Sequence, residues 1–514
     1  MLPGNFSSKI FDMLRYIPFL AVFFLYFYNL GLNQVWQPNE AFYADASRNM
    51  LKTGNLLTPI YNGELRLNKP PMTYWLTTLS FFLFGVNEFS LRLFQVLAGL
   101  GTGVVTYLFA RRLSGERAAL YSFLALTLSV QFVANARYTS PEILLTFFVT
   151  LSLYLWYLSY ERKSNLLFLL ALISSTFAVL TKGPVGFLLP AGVIFLYLLF
   201  RDRRELLNPK YYLGTLFVIL TAGWWFLYQY VVNREAFLEV FLKENVKRIY
   251  ALQEDPVYFY LLDINVSFLP YSFIFYMALV WALREKRKEL LFPLTWFFLT
   301  FFLFSLVKMK IPVYIMPAFP AMAVVVGTFL ASEGYRRAFV MASIFLSVLI
   351  TAAVWVGAFM FKVNIFFLGL ATLLTLTFLL KRNLKLAPAA AGFGLLLYLS
   401  GVLLPEVEKH RPYREIGNKI REIDPEGRYR TYEVGAYHHN LPFYADRVVI
   451  RNVRPEELKT PAIALVKEGL INCKSSGDWE LYRGSESRFF RFLSDIKKGR
   501  NFDKFRLCIF PLGM

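Results

Sequence analysis

Charged side chains lie at the ends of strongly apolar segments in this chain, where an ionisable group is unfavourable unless it has a partner or a function. Two of them are carboxylates, Glu40 and Glu142. The others are cations, namely Lys69, Arg137, Lys182, Arg234, Lys243, Lys247, Arg248, Lys308 and Lys310. Two carboxylates among these cations indicate a site for an anionic group such as phosphate, with a carboxylate available for acid, base or hydroxyl-binding work. The alternative for any single cation is that it only extends from a span end towards water.

The composition is that of a membrane protein with several spans. Of the 514 residues, 56% are hydrophobic and 18% are aromatic. The formal net charge of +20 falls largely in short loops between apolar segments, so it reflects membrane topology and not nucleic-acid binding. All three histidines and both cysteines come late in the chain. The membrane region therefore offers no His or Cys ligand for a metal.

Apolar segments recur at the length of roughly 17 to 25 residues that a bilayer requires, which predicts about thirteen spans. They begin near residues 16, 88, 118, 142, 164, 184, 211, 264, 289, 312, 338, 364 and 387. Lys and Arg gather in alternate loops, such as 201–210 and 284–289, which the positive-inside rule assigns to the cytoplasm. The N-terminus is then cytoplasmic, and the tail from about Pro405 lies outside, which in a bacterium is the periplasm.

Two outer regions carry elements of their own. In the loop 33–87, helical periodicity from Glu40 to Leu51 and an apolar segment from Pro70 to Phe84 predict two helices along the membrane surface. In the tail, the segments 428–434, 447–450, 462–467 and 479–484 read as short strands between helices. We therefore expect an all-α membrane domain over residues 1–404 and a small periplasmic α/β domain over 405–514.

Five segments carry a resemblance to a known family. They read NEAFYADASRNML (39–51), NKPPMTYW (68–75), RYTSPEILLTFF (137–148), TKGPVGFLLP (181–190) and KIPVYIMPAFPAMA (310–323). In this order they resemble the GT-C membrane glycosyltransferases that use polyprenyl-phosphate sugars. The resemblance is to the lipid A aminoarabinose transferase family in particular, glycosyltransferase family 83, which is related to protein O-mannosyltransferases.

That resemblance implies a GT-C fold in the bacterial inner membrane. It also implies an inverting transfer of a sugar from a polyprenyl-phosphate donor to lipid A or a related lipopolysaccharide at the periplasmic face. Membrane lipids surround both substrates.

The resemblance also assigns site residues. Glu40 and Glu142 match the family's acids and, with Asn39, are the expected catalytic positions. Lys69, Lys182 and Tyr314 match residues expected at the donor phosphate. Charge adds Lys310 and Arg248 to the phosphate-binding set. The expected substrate pocket contains Tyr43, Asn68 and Arg137.

The sequence departs from the family pattern at several of these positions. Asn39 stands where the family usually has Asp, Phe42 where it has Arg, and Asn68 where it has Glu. The second long loop reads Asp255-Pro256 where a histidine is frequent. We therefore expect neither a metal site nor another cofactor. For Asn39 and Glu40 the alternative is a helix N-cap followed by an acid in the first turn.

The chemistry depends on the acceptor. An ionised phosphate acceptor needs no general base, whereas a hydroxyl acceptor needs one, which Glu40 or Glu142 would supply. We take Glu40 as the main catalytic or substrate-orienting carboxylate. The loss of acids at Asn39 and Asn68 favours an acidic or neutral sugar, such as a uronic acid, over aminoarabinose.

Other functions stay open at this point. They are transfer to a hydroxyl of a protein or another glycan, transport of a lipid or oligosaccharide, and a non-catalytic membrane scaffold. A transporter would carry polar or broken helices near the bilayer midplane, whereas these charges gather at the outer span ends. Cys473 and Cys508 could form a disulfide in an oxidising compartment.

Overall fold

The computed structural model is mostly helical. It describes residues 16–244, 255–332, 384–486 and 488–511, together with scattered helical positions between 342 and 377. The first helices are α1 (Ile17–Phe27), α2 (Asn39–Thr53), α3 (Met72–Phe84), α4 (Glu88–Ser114), α5 (Glu116–Thr127), α6 (Val130–Ala136), α7 (Pro141–Arg162), α8 (Asn165–Lys182), α9 (Val185–Arg201) and α10 (Pro209–Leu242). The later ones are α11 (Phe259–Ser267), α12 (Ser272–Arg284), α13 (Leu291–Ser305), α14 (Phe319–Ala331), α15 (Ala387–Tyr398), α16 (Leu404–Glu408), α17 (Tyr413–Ile423), α18 (Leu441–Ala445) and α19 (Phe489–Lys498).

Several helices are long and apolar enough to cross a membrane. Among the described residues there are seven such helices, and the pair α5 and α6, bent by 67°, makes an eighth candidate. Most predicted spans coincide with one of these or with a shorter apolar helix. The predicted spans near 338 and 364 begin outside the described residues, so the count of about thirteen stays a prediction. The chain is a multi-pass membrane protein.

The helix ends follow from local sequence signals. Gly54 follows the last residue of α2, and Gly183 follows the last residue of α8. Each glycine has a positive φ, which glycine adopts without strain. Pro141 occupies the first turn of α7, where a missing N–H is not needed. These signals are local, and for this reason the predicted helices 40–51 and 70–84 match α2 and α3 closely.

Contacts divide the chain into two compact units. The first contains Met1–Tyr28, Leu67–Met72 and Gln95–Leu399. Its helix α14 is buried along nearly its whole length. A Cβ at Gly327 would lie 2.4 Å from the Ala118 carbonyl oxygen, so the glycine allows α14 to approach α5 closely.

The second unit contains Asn29–Arg66, Thr73–Phe94 and Ser400–Met514. A short hairpin is formed by β1 (Ile60–Tyr61) and β2 (Glu64–Leu65). A separate sheet contains five strands: β3 (Arg430–Val434), β4 (Val449–Val453), β5 (Ala462–Lys467), β6 (Ser475–Tyr482) and β7 (Phe502–Phe510). The strand order in this sheet is β4-β3-β5-β7-β6, with parallel pairing of β3 to β4 and β5 and antiparallel pairing of β7 to β5 and β6.

This division differs in one respect from the predicted domains, because α2 and most of α3 group with the tail. Ala41 and Ala44 of α2 belong to the same hydrophobic core as Ile416, Ile463 and Leu465. β7 lies outside the strands predicted from sequence, although its alternating Phe505, Leu507 and Ile509 are typical of a strand. Cys473 and Cys508 form a disulfide.

His439 should make this second unit sensitive to acid. Burial, with the charges of Arg451 and Arg66, lowers the pKa of His439 from its ordinary value to about 4. The unfolded chain binds a proton near pH 6.5, whereas the folded chain does so only near pH 4. Stability should therefore be complete above pH 6.5 and fall as the pH drops towards 4.

The measurement is the thermal midpoint of the purified protein at several pH values. His439→Phe should flatten this acid slope, because the group that takes up the proton on unfolding is gone. His410→Phe in the same unit is the matched control and should keep the slope. An unchanged slope in His439→Phe would assign the acid sensitivity to other groups.

Candidate active site

A tight turn places Lys182 at the end of α8. Lys182 is the last helical residue, and Gly183 follows with a φ of 88° before Pro184. A Cβ at Gly186 would lie only 2.2 Å from the Ala178 carbonyl carbon, so α9 begins directly against α8. The turn fixes the direction in which the Lys182 side chain leaves the helix.

Lys182 forms an ion pair with Glu142. Its Nζ atom lies 3.1 Å from the Glu142 Oε1 atom, and each side chain is 13% exposed. Glu142 occupies the first turn of α7, where a carboxylate interacts favourably with the helix dipole. The Lys182 Nζ atom also lies 4.6 Å from the ring centroid of Tyr314, a cation–π distance. Three of the predicted site residues are therefore in contact.

Lys69 forms a second pair. Its Nζ atom lies 2.5 Å from the Glu244 Oε2 atom, and the Asn68 amide donates to the other oxygen of Glu244 at 3.4 Å. The charge of Lys69 also acts on the Glu142 carboxylate. Sequence reasoning did not select Glu244, although an acid within a basic outer loop is an available signal.

The two lysines line the same small cavity, which we call the lysine cavity. Its other lining residues are Leu67, Asn68, Pro70, Gly183, Trp225, Phe226, Phe237, Phe241 and Glu244. Its volume is about 20 Å³, room for about one water molecule. Two lysines, one carboxylate and four aromatic rings therefore line the lysine cavity, and Glu142 pairs with Lys182 without lining it. A phosphate bound here would have to displace the carboxylates from the lysines.

Other predicted phosphate and pocket residues have structural partners. Lys310 is buried, and its Nζ donates to the Asp255 carbonyl oxygen at 2.9 Å. It precedes the 3₁₀-helix Pro312–Ala318, so it does not share a helical face with Tyr314. Arg137 donates to the carbonyl oxygens of Leu25, Tyr26 and Tyr28 at the end of α1. Arg248 lies outside the described residues.

Glu40, in the second unit, is fully buried and paired. Arg92 donates to it through Nε at 2.8 Å and Nη2 at 2.7 Å, and the Trp36 backbone N–H donates at 2.9 Å. Arg92 also donates to the carbonyl oxygens of Leu30, Asn33 and Gln34. Glu40 therefore joins the turn before α2 to the start of α4.

Asn39 and Tyr43, the predicted site residues near Glu40, differ from each other in exposure. Asn39 is the first residue of α2 and is exposed. Pro38 stands at the N-cap without a side-chain hydrogen bond, so the capping alternative for Asn39 is not observed. Tyr43 is buried and packs on Tyr74, with ring centroids 4.9 Å apart. Of Asn39 and Glu40, the exposed residue is thus Asn39, whose side-chain amide cannot accept a proton at neutral pH.

The described residues contain no group of three or more His, Cys, Asp or Glu side chains placed to hold a metal ion. The ion pairs Lys182–Glu142 and Lys69–Glu244 are thus the main charged features around the lysine cavity. Once those carboxylates are displaced, the two lysines could bind a phosphate ester beside the aromatic rings.

Comparisons with known proteins find similar sequences. A family model described as dolichyl-phosphate-mannose-protein mannosyltransferase matches residues 13–238. An uncharacterized protein of Aquifex aeolicus (strain VF5) is 59% identical over 491 residues, which cover 95% of this chain and 98% of that protein. The undecaprenyl phosphate-alpha-4-amino-4-deoxy-L-arabinose arabinosyl transferase of Pseudomonas aeruginosa (strain UCBPP-PA14) is 32% identical over 320 residues, which cover 60% of this chain and 58% of that protein.

The fold matches a solved structure. The crystal structure of ArnT from Cupriavidus metallidurans bound to undecaprenyl phosphate superposes with a TM-score of 0.75 and covers 91% of this chain and 94% of that chain, at 23% sequence identity. Fold and site thus define a GT-C membrane glycosyltransferase. Within that class, the chain is similar in sequence to the protein mannosyltransferases and the aminoarabinose transferase named above, and it shares the fold of ArnT.

Proposed function

We propose that this protein transfers a sugar from a polyprenyl-phosphate donor to a phosphate group of lipid A or a related lipopolysaccharide. The observation that carries the proposal is the convergence of Lys69 and Lys182 on one small cavity lined by aromatic rings, each lysine held by a carboxylate. The reaction takes place on the periplasmic face of a bacterial inner membrane, with the N-terminus cytoplasmic and the tail periplasmic. Its support is the asymmetric placement of Lys and Arg in the loops.

The lysines act on the leaving group. When the bond between the sugar and the lipid phosphate breaks, negative charge grows on the phosphate. Lys69 and Lys182 would stabilise that charge in a site with little water, where an ionic interaction is stronger than in solution. The aromatic residues Trp225, Phe226 and Phe237 would pack on the apolar part of the donor next to its phosphate.

The chemical nature of the acceptor is inferred from the ion pairing of the carboxylates. Glu40 is paired with Arg92, Glu142 with Lys182, and Asn39 cannot accept a proton. Among the residues predicted to be catalytic, none is therefore an unpaired general base. An acceptor that is already ionised needs none, which favours a phosphate over a hydroxyl of a protein or another glycan.

The donor sugar we propose is 4-amino-4-deoxy-L-arabinose. When the donor phosphate takes the two lysines, Glu142 and Glu244 lose their partners, and the ammonium group of an amino sugar would pair with one of them. Glu244 also places a carboxylate beside Asn68, which weakens the charge argument for a uronic acid. The relative in Pseudomonas aeruginosa carries this sugar in its name.

The test is mass spectrometry of lipid A from cells with and without this protein. We expect one added mass, equal to the aminopentose, that disappears when the gene is removed and returns with a plasmid copy. An added mass equal to a uronic acid would contradict the sugar assignment. Unchanged lipid A would contradict the acceptor.

A further inference from the structure

A second cavity lies wholly within the unit made of Asn29–Arg66, Thr73–Phe94 and Ser400–Met514. Its volume is about 270 Å³, and we call it the basic cavity. Its charged lining residues are Arg48, Lys52, Glu88, Arg414, Arg421 and Asp446. Four cations thus face two carboxylates among the lining residues, and Arg48 also pairs with Asp45, which does not line the cavity. The lining of the lysine cavity has two lysines and one carboxylate. The basic cavity contains none of the residues proposed for sugar transfer.

One of the lining cations, Arg48, stabilises the fold. Arg48 is buried and donates to the carbonyl oxygens of Pro442 and Phe443 at 2.9 and 2.8 Å. It also pairs with Asp45 and, at 3.0 Å, with Asp446. Arg48 therefore forms a fixed floor of the basic cavity. Both of its terminal nitrogens already have partners, and only its Nε is buried without one. The ligand must be held mainly by the remaining cations.

Three polar residues of α17 lie on one helical face of the basic cavity. Arg414, Asn418 and Arg421 follow each other at spacings of four and three residues. Arg414 donates to Glu88 through Nε and Nη2, at 3.1 and 2.7 Å. Arg421 is exposed and bonds to the Asn418 side-chain oxygen at 2.5 Å. In the described part of the chain no carboxylate lies within 4.0 Å of its guanidinium group.

Lys52 contributes from α2. Its Nζ atom lies 2.6 Å from the Asp446 Oδ1 atom, and its side chain is 49% exposed. Because Asp446 is shared between Lys52 and Arg48, one carboxylate neutralises two cations only in part. An anion entering the basic cavity would therefore meet Lys52 and Arg421 without having to break a buried pair.

An apolar surface adjoins the basic cavity. Val86 lines the cavity and is 43% exposed, and it follows the end of α3. The neighbouring large apolar residues that are exposed are Leu79, Phe82, Leu83 and Phe84, of which Phe82 is 72% exposed. Exposed apolar residues on one short helix of a membrane protein form a surface suited to the lipid leaflet. Cations beside it then lie at the level of the lipid headgroups.

We propose that the basic cavity binds the phosphomonoester headgroup of a lipid, and that this lipid is the acceptor. The claim that this lipid is the acceptor rests on the proposed function. A phosphomonoester carries about −1.5 to −2 charges at neutral pH, which matches the two exposed cations of the basic cavity, Lys52 and Arg421, whereas a phosphodiester carries about one. Arg421 can bind two phosphate oxygens through its planar guanidinium group. The site would hold the acceptor through a phosphate that does not react.

The first experiment measures lipid retention without any sugar donor. Full-length protein in phosphatidylcholine nanodiscs receives a small fraction of phosphatidic acid, a phosphomonoester lipid, or of phosphatidylglycerol, a phosphodiester lipid. Native mass spectrometry then counts the retained lipids. We expect wild type to prefer phosphatidic acid by about tenfold, as two charge-assisted contacts would give. Lys52→Gln with Arg421→Gln should remove that preference.

The control is Lys419→Gln with Arg428→Gln, which removes the same charge from the same unit outside the basic cavity. These two cations pair with Glu422 and Glu426 on the surface. The control should retain phosphatidic acid as wild type does, and both variants should keep the wild-type thermal midpoint. Equal retention of phosphatidylglycerol, or an equal loss in the control, would overturn the proposal. Displacement by inorganic phosphate would assign the site to a soluble anion instead of a lipid.

The second experiment addresses the acceptor. With lipid A as acceptor, the cavity variant should raise KM by about tenfold and leave kcat unchanged. An unchanged KM, with phosphatidic acid retention lost, would refute the acceptor assignment. Failure of the proposed function looks different, because wild type would then retain phosphatidic acid yet transfer no sugar.

Discussion

Lys182→Met is expected to lower kcat/KM for sugar transfer by about 100- to 1,000-fold. The loss corresponds to about 2.7–4 kcal/mol of transition-state stabilisation, the range found when one preorganised donor is removed from a site of developing charge. Lys182 is suited to this role because the turn at Gly183 and the contact with Glu142 fix its ammonium group beside the lysine cavity. The measurement is turnover of a labelled polyprenyl-phosphate sugar by purified protein.

A loss of activity could also come from misfolding, since Lys182→Met leaves Glu142 with its main partner removed. The double variant Lys182→Met with Glu142→Gln removes both charges and should recover thermal stability without recovering activity. Lys288→Met is the control, because Lys288 is an exposed lysine in the loop before α13. Its turnover should match wild type. Recovery of turnover in the stable double variant would mean that Lys182 acts on the fold alone.

Glu40→Gln is expected to destabilise the protein by about 3–5 kcal/mol, because it leaves the charge of Arg92 buried without a partner. Glu40 and Arg92 are almost completely buried and joined by two hydrogen bonds. If the role of Glu40 is to hold the start of α2, the folded fraction should retain most of its turnover. The measurements are the thermal midpoint and the rate per folded molecule.

The matched variant replaces both partners, Glu40→Met with Arg92→Met. Because an ion pair replaced as a whole leaves no unpaired charge, this variant should be more stable than Glu40→Gln alone. The sequence favours Glu40 as the main catalytic carboxylate, whereas its contacts favour a structural role. A folded Glu40→Gln protein with no turnover would instead assign Glu40 a catalytic role.

The local elements of the outer region could be predicted from the sequence. Helix α2 was expected over 40–51 and extends over Asn39–Thr53, and the segment from Pro70 to Phe84 became α3. The Lys-Gly-Pro order at 182–184 is likewise typical of a helix end followed by a turn. These features depend on periodicity, proline and glycine, whose effects act within one or two helical turns. The resemblance of five short segments to one family extended this local information to a fold.

Partners of the charged residues were decided by tertiary packing. Lys182 meets Glu142 across 40 residues of sequence, Lys69 meets Glu244 across 175, and Arg92 meets Glu40 across 52. Lys310, a candidate for phosphate binding by charge alone, instead donates to the backbone of Asp255. A sequence shows which charges exist and near which span ends they stand. Which of them remain available to a substrate depends on pairing in a low-dielectric interior, and that pairing is set by helix packing.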